Sequence, residues 1–146
     1  MTRSEEVAMT ERKKLALLLM DAPYESARTT TALRLVDAAA RRGLDLTVFC
    51  YEGAVALSFA RQAPHANAVH GRDVAQEDHP NPKDWIAALM VQAEQSGGRL
   101  AWINCGLCVD ERGVGEVAAG IGRGSPVDFW KAAEAADNTL VIPTRG

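Results

Sequence analysis

Cysteine is scarce in this chain: three residues in 146. An odd number that small excludes the disulfide framework that staples small secreted domains. Long apolar runs are missing too. The longest strongly apolar one, Leu15 to Met20, is far too short to span a bilayer. Met1 to Lys14 is polar and mixed in charge, without the apolar stretch of a secretory signal peptide. No stripe of Lys and Arg stands out, and a formal charge of −3 with a pI near 5.6 argues against nucleic acid as a direct partner. Internal repeats, low-complexity tracts and interdomain linkers are also lacking. What is there, 47% hydrophobic and 24% charged residues, is ordinary for a soluble globular protein. The expectation is a cytoplasmic protein with one domain over residues 14–146, behind a flexible or loosely docked tail, 1–13.

Strands and helices alternate along that domain. Leu15 to Met20 reads as a strand covered on both faces, broken by Asp21-Ala22-Pro23-Tyr24. Ser26 to Arg42 reads as a helix, with Ala32, Leu35, Val36 and Ala39 at helical spacing and Gly43 as its left-handed stop. Leu44 to Tyr51 is the second strand, and Gly53 to Arg61 suits a short helix. Pro64 to Pro82, which holds all three histidines, reads as a long surface loop with room for a short strand at Ala68-Val69. Asn81 as cap and Pro82 at the first helical position open a helix that carries Trp85, Ile86, Leu89 and Ala93 to Gly97-Gly98. Arg99 to Asn104 is the third strand. Gly113 to Gly124 reads as a flexible loop or irregular short helix. Ser125-Pro126-Val127-Asp128 opens a helix through Ala136, and Leu140 to Ile142 is the last strand. This alternation implies an α/β protein with a doubly wound, mainly parallel sheet.

Against that frame Cys105-Gly106-Leu107-Cys108 carries the chemistry. It follows the third strand directly, and the carboxyl ends of strands are the working edge of open α/β sheets. A thiol acts as a nucleophile only when ionised, and a helix N-terminus or a nearby cation favours that form. Cys105 stands nearest the strand end and Cys108 about one turn on. Either one attacks or carries a persulfide while the other resolves it. Arg112 is a candidate to stabilise a thiolate or an anionic sulfur substrate, and Asp110 and Glu111 pull the other way. The loop after the first strand lies on the same edge, so Tyr24, Ser26 and Arg28 are candidate pocket residues; Ser26 reads equally well as a plain helix cap.

Other constellations are weaker. A structural zinc site wants four ligands, and one cysteine pair with scattered His65, His70 and His79 does not supply them, so no metal or other cofactor is expected. Cys50 reads as a small buried hydrophobe. Gly113-Val114-Gly115-Glu116-Val117-Ala118 has letters of a dinucleotide fingerprint, but it does not follow a strand directly and no acid ends the last strand. Trp85, Trp102 and Trp130 read as core, and any that is exposed points to an oligomer interface.

Three stretches together resemble the DsrE/DsrF-like sulfur-relay family, which includes the sulfurtransferase subunits acting in thiolation of transfer-RNA wobble uridine. They are Ala22-Pro23-Tyr24-Glu25-Ser26 with Thr31 to Leu35, then Phe49 to Val55, then Cys105-x-x-Cys108-x-x-x-Arg112-Gly113-Val114. The resemblance implies a three-layer flavodoxin-like fold and assembly into homo- or hetero-oligomers, often trimers or hexamers. It also implies one strand-end cysteine that accepts sulfur as a persulfide from a donor protein and passes it to an acceptor. Cys105 falls at the position that keeps the family's spacing to Arg112-Gly113, and Cys108 matches a second thiol found in some relatives. Two further readings stand beside it: a non-catalytic binding or redox-regulatory subunit, and a thiol–disulfide oxidoreductase.

Overall fold

A computed structural model describes residues 12–78 and 81–145 of the chain. Five strands form one sheet: β1 (Lys14–Leu19), β2 (Asp45–Cys50), β3 (Arg99–Cys105), β4 (Gly122–Gly124) and β5 (Asn138–Ile142). Their order is β4-β3-β2-β1-β5, and every neighbouring pair is parallel. The helices are α1 (Ala27–Arg41), α2 (Val74–Glu77), α3 (Pro82–Gln95), α4 (Gly106–Arg112) and α5 (Pro126–Ala135).

Right-handed crossovers dictate the layers. The chain steps one way from β1 through β2 to β3, so α1 and α3 lie together on one face. It then returns from β4 across the sheet to β5, which puts α5 on the opposite face. Register completes the core. Leu17, Val48 and Trp102 form one rung under α1 and α3, and Leu19, Cys50 and Asn104 form the next. All of these are buried. Removing a Leu or Val side chain of this kind from water contributes roughly 1.5–3 kcal/mol. On the other face Phe49 meets Phe129 of α5, ring centroids 6.0 Å apart. That layer is thin: no residue of α5 is buried, and Trp130 is 65% exposed.

Several sequence expectations change in detail. In α1 it is Leu33 that packs inward, whereas Leu35 is exposed. Gly43 does adopt the left-handed conformation after α1, at φ 74°. Asn81 precedes α3, but its side chain makes no capping bond; its carbonyl accepts the Asp84 and Trp85 N–H groups instead. The expected helix at 53–61 is a 3-10 helix, Glu52–Ser58. Ala68–His70 is a 3-10 turn rather than a strand, with the Asn67 side chain accepting the His70 N–H. The loop from Pro64 also contains α2, opened by reciprocal bonds between Asp73 and Gln76. The glycine-rich segment is neither a free loop nor a helix. Val117 bridges to Phe59, and β4 adds to the sheet edge beside Ile103–Cys105. Of the expected tail, residues 1–11 lie outside the described residues. Arg12 pairs with Asp45 at 3.6 Å, and the Lys13 carbonyl accepts the Asp45 N–H.

Candidate functional site at the thiols

Because all strands run the same way, β1, β2 and β3 deliver Leu19, Cys50 and Cys105 to one edge. Cys105 is the last residue of β3 and caps α4, with extended backbone (φ −62°, ψ 120°) but no side-chain capping bond. Helix α4 spans only seven residues before Gly113, at φ 65°, stops it. Cys108 lies one turn along α4. Its Sγ accepts the backbone N–H of Glu52 at 3.1 Å.

That N–H is aimed by an unusual backbone. Glu52 follows β2 and adopts φ 50°, a left-handed conformation that costs a non-glycine residue about 1–2 kcal/mol. The turn sends the chain into the 3-10 helix Glu52–Ser58. The next residue, Gly53, is pressed against the β1–α1 loop: a Cβ there would stand 3.0 Å from the Ala22 Cβ. Asn104 ties the other end of this helix to β3. Its Nδ2 donates to Ser58 Oγ at 2.9 Å and, more loosely, to the Val55 carbonyl at 3.5 Å.

Both thiols are covered: Cys105 is 2% exposed and Cys108 5%. All three cysteines are free. Burial pushes the Cys108 thiol up from its ordinary value, and the Cys105 sulfur, as acceptor of the Cys108 S–H, adds to this. The Glu52 N–H and the Arg112 charge oppose it. At neutral pH Cys108 is therefore a protonated thiol beside Cys105. Cys50 is a different case. Burial drives its thiol far up, and a weaker contribution from the Trp102 indole opposes this, so it stays an uncharged packing group.

The charged residues sort themselves in a way that spacing along the chain did not reveal. Arg112 lies 3.6 Å from Glu111, and its charge reaches Cys108. Asp110 takes Arg123 of β4 in a two-pronged pair, Nη1 to Oδ1 at 3.0 Å and Nη2 to Oδ2 at 2.6 Å. The guanidinium lies over Gly106, where an added Cβ would be 2.7 Å from Nε. Gly106 thus admits the close approach of Arg123 beside Cys105.

Tyr24, Ser26 and Arg28 form a separate group. Ser26 Oγ donates to Asp21 Oδ2 at 2.6 Å and accepts the Arg28 N–H, which makes it the cap of α1. Arg28 Nη1 donates to the Pro143 carbonyl just after β5. Tyr24 and Ser26 line a cavity of about 210 Å3 with Thr29, Thr30, Leu33, Pro82 and Trp85. No cysteine borders that cavity. Among the described residues, no three of His, Cys, Asp and Glu cluster as metal ligands, and no helix is long and apolar enough to cross a membrane.

Glu52, Asn104, Gly106 and Arg123 escaped sequence reasoning. Only Gly106, a glycine set between two cysteines, carried a local signal.

Comparison with known proteins bears on the fold and the family. The solved structures it resembles include the ychN protein from E. coli, at 22% identity and a TM-score of 0.69, covering 88% of this chain and 98% of that one. At that identity the likeness concerns the fold. No curated relative matches the chain. The model of the DsrE/DsrF-like family matches residues 13–142, from just before β1 to the end of β5, and the chain belongs to that family.

Proposed function

We propose that the protein is a sulfur carrier, in which Cys105 receives sulfane sulfur and relays it. The observation that carries this reading is the pairing of Cys105, at the carboxyl edge of the sheet, with a Cys108 thiol held protonated by burial and positioned by the Glu52 N–H.

The chemistry balances without a redox cofactor. The Cys105 thiolate attacks the outer sulfur of a donor persulfide. A bond forms between Cys105 Sγ and that sulfur, and the donor S–S bond breaks. Its electron pair leaves on the donor thiolate. An acceptor thiolate then attacks the outer sulfur of the Cys105 persulfide in the same manner and regenerates the Cys105 thiolate. In each step one S–S bond replaces another. Cys108, as a neutral donor, steadies whichever anionic sulfur stands beside it.

Donor and acceptor are proteins in this reading. Leu107, between the two cysteines, is 73% exposed, and an apolar residue projecting next to a reactive group suits docking of a partner. Exposed Val127 and Trp130 on α5, with exposed Val141 on edge strand β5, support self-association on the thinly covered face.

The near-complete burial of both thiols favours one competing role, a redox-regulatory module whose Cys105 and Cys108 interconvert between dithiol and disulfide. Intact-mass spectrometry separates the two. After incubation with a persulfide donor, a carrier gains sulfur in the wild type and in Cys108→Ser, and gains none in Cys105→Ser. No added sulfur in the wild type, with a reversible loss of two hydrogens under oxidant, overturns the carrier reading.

A further inference from the structure

Asp110 is an awkward neighbour for a sulfur that works as an anion, since its carboxylate lies on the same helix, one turn and a half from Cys105. The structure supplies the answer from another strand. Arg123 reaches from β4 and closes both carboxylate oxygens of Asp110 in its two Nη groups. Arg123 stands in register with Asn104, the residue before Cys105. Its guanidinium rests on Gly106, the residue after Cys105, so closely that any side chain there would collide with Nε and Cζ. The cation is therefore held against the peptide that carries the cysteine. Among the described residues its Nε–H, the edge nearest Gly106, donates to nothing.

We propose that Arg123, clamped by Asp110 and seated on Gly106, is the positioning cation that holds the anionic sulfur on Cys105. This rests on the reading of Cys105 as the carrier. A persulfide ionises more readily than its parent thiol, so the loaded state places lasting negative charge just beyond Sγ, where a fixed cation with a free donor acts on it. The other groups around this sulfur cannot replace Arg123. Cys108 is neutral, and the Glu52 N–H is spent on Cys108. Arg112 lies 3.6 Å from Glu111, and the sulfur its charge reaches is that of Cys108. Asp128, whose carboxylate lies against Gly124 in register with Cys105, is negative and accepts the Ser125 N–H. Arg123 itself is shifted upward, first by the Asp110 hydrogen bonds and charge and, more weakly, by the charge on Cys105.

The test uses the full chain in two arms. In the first, Cys50→Val and Cys108→Ser leave Cys105 as the sole thiol, and its ionisation is followed by ultraviolet thiolate absorbance with Arg123 present, as Arg123→Gln and as Arg123→Lys. The Gln variant should ionise at higher pH, and the Lys variant should recover most of the difference. In the second, inorganic polysulfide is the probe, and sulfur loading of otherwise wild-type protein is read by intact mass. Arg123→Gln should load roughly three- to tenfold more slowly at neutral pH, the modest end of a charge–charge effect because the Arg123 side chain is solvent-exposed. Added salt should bring the wild type toward Arg123→Gln. An Arg123→Gln variant with the wild-type ionisation curve overturns the proposal, whatever the loading result. A wild type that takes no sulfur while the ionisation shift persists overturns the carrier reading and leaves the Arg123 assignment standing.

Discussion

Glu52 and Cys108, 56 residues apart in sequence, are joined by a 3.1 Å hydrogen bond from backbone N–H to thiol sulfur. The bond exists because Glu52 turns left-handed at the end of β2, and the same turn starts the 3-10 helix that backs α4. One strained residue therefore couples the geometry of two strand-end loops.

Substitutions at Glu52 should report that coupling. Glycine adopts φ 50° freely and keeps the N–H, so Glu52→Gly should leave sulfur loading unchanged and alter stability by less than about 1 kcal/mol. A β-branched side chain resists this conformation. Glu52→Val should cost roughly 1–3 kcal/mol in denaturant unfolding and weaken the hold on Cys108. Equal stabilities for the two variants would show that the backbone relaxes without penalty.

Leu107 offers a test of partner docking that does not touch the chemistry. Its side chain is exposed to solvent, at a position between the two cysteines in sequence. Leu107→Ser, which adds no charge beside the thiols, should leave loading from inorganic polysulfide within about twofold of wild type while cutting transfer from a protein persulfide donor by tenfold or more, the scale expected for loss of a central apolar contact. Equal losses with both donors would mean that Leu107 acts on the thiols and not on a partner.

Acid should dissect the Asp110–Arg123 pair. Hydrogen bonds from Arg123, aided by its charge, hold the Asp110 carboxyl below its ordinary value of 3.8. The folded chain thus keeps this group ionised to lower pH than the unfolded chain does. Its stabilisation is present above 3.8 and lost as the pH falls through the lowered folded value. Asp110→Asn should therefore melt below wild type near neutrality, and the gap should close as the pH falls through that lowered value. A gap that persists in acid would assign the effect to packing.

The parallel α/β architecture was legible because its strands are apolar runs and its helices carry local caps: Ser26 with Gly43, Pro82 and Ser125-Pro126. Cys105 and Cys108 were legible because they adjoin a strand end in sequence. Strand β4 was not, since Gly122-Arg123-Gly124 has no apolar pattern and pairs only because β3 presents an open edge to it. The partner of Asp110 was hidden for a related reason. Arg112 was the nearest cation ahead in sequence, whereas Arg123 arrives through β4, thirteen residues on. Tyr24, Ser26 and Arg28 were placed on the correct edge of the sheet, but Ser26 is taken up by Asp21 and the start of α1, and Arg28 by the end of β5. An edge position says which loops are neighbours; it does not say which way their side chains turn.

Alkali should separate Cys50 from the reactive pair. Cys50 is fully buried on the rung with Leu19 and Asn104, and burial raises its thiol far above the ordinary 9.0. Below 9.0 both folded and unfolded chains keep this thiol protonated, so it adds no dependence on pH. Above 9.0 the unfolded chain ionises first, and folding stability falls with rising pH by up to about 1.4 kcal/mol per unit for one such group. Cys108, also raised, contributes in the same direction. Cys50→Val preserves apolar volume and removes the ionisable group. Denaturant midpoints measured at about pH 8 and about pH 10 should therefore fall less steeply in Cys50→Val than in wild type, while sulfur loading at Cys105 is retained. Identical slopes would mean that Cys50 is reached by solvent in the folded chain. Lost loading would draw it into the sulfur site, which its burial between β1 and β3 argues against.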